Sequence, residues 1–171
     1  VNGDYLWNFE SDGWITKTPV VNNDTVVISN SRAWVYVIDT KTGTDRLTYN
    51  TYGKNISAPV LIDDNVLLGL ANGKLLAIDT RQKEYRFERK ARFWRLQFYL
   101  WGFQDKAPVQ KGFSWSSRIA RPSVGLTGLS VLDDKVYFGT NDGYANAYDL
   151  MADKPLWRTE VGIGVTAAPI A

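Results

Sequence analysis

The residues that look most like chemistry in this chain are its aspartates. Asp39, Asp79 and Asp149 each close an apolar run, and Asp63-Asp64 and Asp133-Asp134 are adjacent acidic pairs. Carboxylates gathered in space can hold calcium or act as general acid and base. Here, however, each recurs at a fixed place just before polar turn residues, where Asp accepts backbone N–H groups. The ligand spacing of a calcium loop is missing. The chain has no His and no Cys, which excludes Ser-His-Asp and Cys-His catalysis, zinc–thiolate sites and disulfides. No catalytic residue, metal site or cofactor site is therefore expected, and the aspartates read as turn residues.

A second constellation suggests binding. Of the eleven residues from Phe93 to Phe103, six are aromatic (Phe93, Trp94, Phe98, Tyr99, Trp101 and Phe103), with Arg92 and Arg95 among or beside them. The wider stretch 81–122 carries 11 of the 20 Lys and Arg but only 3 of the 18 acidic residues. Three roles fit this composition. The rings can fold back on the body of the protein as a hairpin or short helix. They can meet a protein, since Trp, Tyr and Arg dominate interface hot spots. Or they can meet a membrane surface, where Trp and Tyr sit at headgroup depth and basic side chains face anionic lipid. As a helix, Trp94, Phe98 and Trp101 share a face and Arg95 lies off it; alternation as a strand fits about as well. The acidic balance of the rest of the chain argues against nucleic acid, which needs an extended basic surface.

The elements that carry these residues repeat. The stretches 18–43, 58–83 and 129–153 align, with Asp39, Asp79 and Asp149 in one register and Gly73 and Gly143 in another, where Ala33 stands in the first unit. Trp7 and Trp157 share a further register, with Leu47 and Phe87 at the intermediate places. Within each unit, short apolar runs are broken by Asn23-Asp24, Asp63-Asp64 or Asp133-Asp134 and then by Gly-containing turns, the pattern of strands joined by tight hairpins. Four short antiparallel strands in about 40 residues make one propeller blade. The fold class expected is all-β: a partial β-propeller of four-stranded blades with a 30-residue insertion.

The expected organisation is a last strand of a preceding blade (1–12), blades at 13–52 and 53–92, the insertion at 93–122, a blade at 123–162 and a first strand of a following blade (163–171). The remaining blades are then expected from a longer polypeptide or another chain. The insertion is expected after the fourth strand of its blade, projecting from the same face as Gly73 and Gly143.

The run Val37-Ile38-Asp39-Thr40-Lys41-Thr42-Gly43 and the strand ending Ala77-Ile78-Asp79-Thr80 resemble the pyrroloquinoline-quinone-type repeat, with Trp7 and Trp157 at its aromatic position and Gly43 at its glycine. Asp149 matches the acidic position, whereas Gln82-Lys83 and Ala152-Asp153 depart from the Thr-Gly. This repeat occurs in outer-membrane assembly lipoproteins of the BamB type and in quinoprotein dehydrogenases. The resemblance implies work outside the cytoplasm; with the missing catalytic groups and the aromatic-basic insertion, the expectation is a non-catalytic, protein-binding propeller in an extracytoplasmic or membrane-associated assembly, with a membrane surface as a further candidate partner. Its alternatives are a fragment of a quinone- and calcium-dependent dehydrogenase and a ligand-sensing ectodomain. Fold alone does not choose among them.

Overall fold

The computed structural model describes residues 4–53 and 57–165. Three four-stranded antiparallel sheets stand side by side as consecutive blades of a partial β-propeller. The first contains β1 (Val20–Val21), β2 (Thr25–Ser29), β3 (Trp34–Asp39) and β4 (Asp45–Asn50). The second contains β5 (Val60–Ile62), β6 (Asn65–Gly69), β7 (Lys74–Asp79) and β8 (Phe113–Arg118), with the helix α1 (Glu88–Leu100) between β7 and β8. The third contains β9 (Leu126–Leu132), β10 (Lys135–Thr140), β11 (Tyr144–Asp149) and β12 (Lys154–Glu160). Strands pair in chain order, so each blade is a simple meander.

Alternation within the strands builds the stack. Val66 and Leu68 of β6 pack with Val27, Val35, Val37 and Leu47 of the first blade. The intervening Leu67, with Leu75 and Ala77 of β7, packs with Leu126, Val136 and Phe138 of the third. The central blade therefore buries both faces, and this is why its strands read as unbroken apolar runs. Each fully buried Leu contributes about 1.5–3 kcal/mol over leaving it in water.

Repeated backbone contacts fix each blade internally. The N–H groups of Thr40, Thr80 and Leu150 donate to the carbonyls of Asp24, Asp64 and Asp134 at 3.1, 2.8 and 3.0 Å. This ties the turn after each third strand to the turn after its first strand.

The second blade departs from the expected boundaries. Its fourth strand is β8, not the stretch around Tyr85 and Phe87: Ala77 pairs with Trp115, as Val37 pairs with Leu47 and Ala147 with Trp157. Trp115 thus occupies the register place assigned to Phe87, which instead lies at the start of a helix. The extra residues fall between Asp79 and Gly112, whose N–H and carbonyl bond at 2.8 Å just as Asp39 and Thr44 do at 2.9 Å. The insertion therefore leaves from the turn after the third strand, at the opposite end of the blade from Gly73.

Residues 4–10 form no strand. Their rings still meet the first blade: Trp7 and Phe9 pack on Ile28, Tyr36 and Ile38. Of the strand expected in 163–171, residues 166–171 lie outside the described residues.

The turn between second and third strands tests the backbone chemistry of the repeat. Gly73 has φ of +72°, and a Cβ there would sit 2.5 Å from the carbonyl oxygen of Arg121. Ala33, at the same place in the first blade, has φ of +66°. A left-handed conformation costs a residue with a Cβ on the order of 1–2 kcal/mol. Opposite signs follow for opposite substitutions: Ala33→Gly is expected to stabilise by about 0.5–1 kcal/mol, and Gly73→Ala to destabilise by about 2 kcal/mol or more. Urea unfolding midpoints check this; a change of the same sign in both variants would refute it.

Candidate functional site

The aspartates of the repeat register are occupied within their own turns. Asp39 Oδ1 accepts the N–H groups of Lys41 and Thr42 at 2.9 and 3.0 Å. Asp79 accepts the N–H of Arg81 at 3.0 Å and both ends of its guanidinium at 3.1 and 3.2 Å. Asp149 accepts the N–H of Ala152 at 2.8 Å. The N–H groups of Thr42 and then Lys41 hold the Asp39 carboxyl below its ordinary value, and the Arg81 side chain does the same for Asp79. Each carboxylate belongs to a different blade. Among the described residues no group of three or more His, Cys, Asp or Glu side chains is placed to hold a metal ion.

Bulky residues at the fourth-strand register, Trp7 and Leu47, seat on a turn of the following blade. The Trp7 ring lies so close over Gly43 that a Cβ there would be 2.6 Å from it, and Trp7 Nε1 donates to the carbonyl of Thr40 at 2.7 Å. Leu47 comes equally close to Gly112. Trp157 stands half exposed beside Tyr137, with ring centroids 6.2 Å apart. Gly143 occupies the turn between β10 and β11 with φ of +89°.

The insertion carries the aromatic and basic residues outward. Its helix forms because 88–100 contains no Gly or Pro and is rich in Arg, Leu, Ala, Glu and Lys, all good helix formers. Glu88 in the first turn complements the positive end of the helix dipole. Gly102, with φ of +80°, stops it. The N–H of Gly102 donates to the Tyr99 carbonyl at 3.0 Å and that of Phe103 to the Phe98 carbonyl at 2.9 Å. This is a Schellman motif, completed by contact between the Phe98 and Phe103 rings at 6.5 Å.

The helix lies beside the outer strand of the first blade. Glu84 N–H donates to the Arg46 carbonyl at 2.8 Å, and the Arg89 guanidinium sits 5.7 Å from the Trp34 ring. Arg89, Arg92, Phe93 and Leu96 turn towards the blade and, with Tyr52 and Gln110, line a groove of about 400 Å³. Both polar atoms of the Gln110 amide are shielded there without a hydrogen-bond partner. On the opposite face Trp94, Phe98 and Trp101 follow one another at helical spacing. No residue of the helix is buried: Trp94 is 55%, Trp101 57% and Phe103 78% exposed.

Charge on the insertion is sorted as well. Glu84 is taken by Arg89 at 3.0 Å, and Glu88 by Arg95 at 3.2 Å and Lys111 at 3.4 Å. Among the described residues no carboxylate pairs with Arg86, Lys90 or Arg92. The candidate residues Arg92 to Phe103 therefore divide. Arg92 and Phe93 face the blade, Arg95 is held by Glu88, Tyr99 is the least exposed ring, and Trp94, Phe98, Trp101 and Phe103 form the outward surface. Sequence reasoning missed Arg86, Lys90 and Gln110. The glycine stop at Gly102 was the signal that could have chosen helix over strand.

A family described as the outer membrane protein assembly factor BamB matches residues 1–92. No curated protein matches the sequence. Among solved structures, BamB from Moraxella catarrhalis superposes with a TM-score of 0.64 at 16% identity, over 91% of this chain and 39% of that one. Quinohemoprotein alcohol dehydrogenase from Comamonas testosteroni gives 0.58 at 20% identity, over 86% of this chain and 21% of that one. The computationally designed Ika4 protein gives 0.64 at 16%, over 97% and 85%. These identities establish the fold, and the chain spans well under half the length of the natural proteins named.

The lowered carboxyls set an acid limit. Asp39 and Asp79 bind fewer protons folded than unfolded, so their stabilisation is complete above the ordinary aspartate value of 3.8 and is lost as pH falls through their folded values. Asp39→Asn and Asp79→Asn are expected to lower stability at pH 7 yet flatten its decline below about pH 4. Urea titrations across that range check this; an unchanged acid slope in both variants would contradict it.

Proposed function

The chain belongs to the family of the outer membrane protein assembly factor BamB, and on that premise we propose that it is a non-catalytic, protein-binding scaffold working outside the cytoplasm in a membrane-associated assembly. The aromatic and basic insertion is the part of it that reaches out to make contact. The observation that carries this is the outward surface of α1 and its C-terminal turn: four large rings, unburied, beside a helix whose one acidic residue, Glu88, is paired with Arg95 and Lys111. Contiguous exposed apolar surface of this kind marks interaction sites, and Trp is among the residues most enriched in interface hot spots. The carboxylates of the repeat register are engaged in turns on separate blades. No helix among the described residues is long and apolar enough to cross a membrane, so this reading takes the contact to be peripheral.

Two experiments test the reading. A photo-reactive amino acid at position 101, in place of Trp101, is expected to form adducts in intact host cells, whereas the same group in place of Asp63 at a blade turn is expected to give few. Equal yields at both positions would count against the insertion as the contact. Separately, the protein incubated with pyrroloquinoline quinone, calcium and an alcohol is expected to leave an artificial electron acceptor unreduced; steady reduction would return the dehydrogenase reading.

A further inference from the structure

The four outward rings of α1 by themselves supply less than the area a standard protein interface takes from each partner, and the helix has the wrong charge for a second copy of itself. Aromatic side chains bury about 150–250 Å² each. With Trp94, Phe98, Trp101 and Phe103 roughly half to three-quarters exposed, the four rings offer on the order of 500 Å². A standard protein interface takes about 800 Å² from each partner. A second copy would set the unpaired Arg86 and Lys90 of one helix against those of the other.

A lipid surface has neither requirement. It accepts a convex ridge without matching its shape, and its headgroup layer is where Trp rings settle. Anionic lipid also complements the charge. Glu84 and Glu88 are closed in ion pairs, the exposed Arg86 and Lys90 have no carboxylate partner among the described residues, and the exposed Asp105 beyond Phe103 is followed directly by Lys106. The helix stop contributes too, because the Schellman turn directs Phe103 beside Phe98 and extends the row of rings past the last helical residue.

We propose that α1 docks on an anionic bilayer, with Trp94, Phe98, Trp101 and Phe103 entering the headgroup layer and Arg86 and Lys90 meeting lipid phosphates. The inference rests on the contact reading above and specifies what is contacted.

The test is flotation of the purified protein with phosphatidylcholine vesicles, with and without phosphatidylglycerol, read together with Trp emission. Binding and a blue shift are expected only with phosphatidylglycerol, weakening as salt rises. Trp94→Ser with Trp101→Ser is expected to weaken binding at least roughly tenfold, and Arg86→Glu with Lys90→Glu to a similar extent. Both pairs are exposed, and unchanged urea midpoints would verify that the fold is intact. As a second set on the same helix, Trp94→Tyr with Trp101→Tyr is expected to retain most of the binding. No flotation of the parent protein, or equal flotation of parent and Ser variant, would overturn the proposal. If flotation fails while position 101 still cross-links to a protein in cells, the insertion remains a contact and only the lipid assignment falls. If position 101 cross-links to nothing, the contact reading falls as well.

Discussion

Burial of both faces of the central blade is the constraint on which the remaining structure depends. A four-stranded meander cannot shield two apolar faces by itself, so Val66 and Leu68 must find the first blade while Leu67, Leu75 and Ala77 find the third. That requirement fixes the spacing between blades. It also fixes where a bulky residue of one blade can rest on the turn of the next. Trp7 over Gly43 and Leu47 over Gly112 are two forms of the same seat. In the first, the indole adds a hydrogen bond to the Thr40 carbonyl.

Because the stack supplies the stability, the turns are free to vary as long as their ends meet. Asp39 and Thr44 meet directly across a short turn, and Asp79 and Gly112 make the same bond after a detour that holds an entire helix. Closing a longer loop costs entropy that grows only slowly with its length. The blade therefore tolerates the insertion without altering strand pairing. The segment leading into the helix is tied to the outer strand of the first blade by one backbone bond, from the Glu84 N–H to the Arg46 carbonyl.

The consequence for function is a separation of roles. The blades carry packing and turn chemistry, with their carboxylates engaged by local N–H groups and by Arg81. The insertion carries exposed rings and cations, with Glu84 and Glu88 paired to its own Arg89 and Arg95. An electrically simple, apolar ridge on a rigid support suits recognition, where pre-organisation lowers the entropy lost on binding. It does not require the propeller itself to move.

Sequence alone determined the architecture, because the repeat leaves its mark at fixed registers: an Asp before the turn at 39, 79 and 149, and Gly or its substitute Ala33 between the second and third strands. Those registers reflect local backbone needs, which a single unit can reveal. Sequence also located the aromatic and basic stretch. It could not place that stretch within its blade, because Phe87 and Trp115 are both large rings and either could fill the fourth-strand register. Only pairing with Ala77 across β7 and β8 decides between them, and that pairing is a tertiary fact. Nor could it tell the inner from the outer face of the helix. Phe93 and Trp94 are adjacent and alike in composition and in exposure, and only the fold shows that Phe93 lines the groove beside Tyr52 while Trp94 continues the row to Phe98 and Trp101.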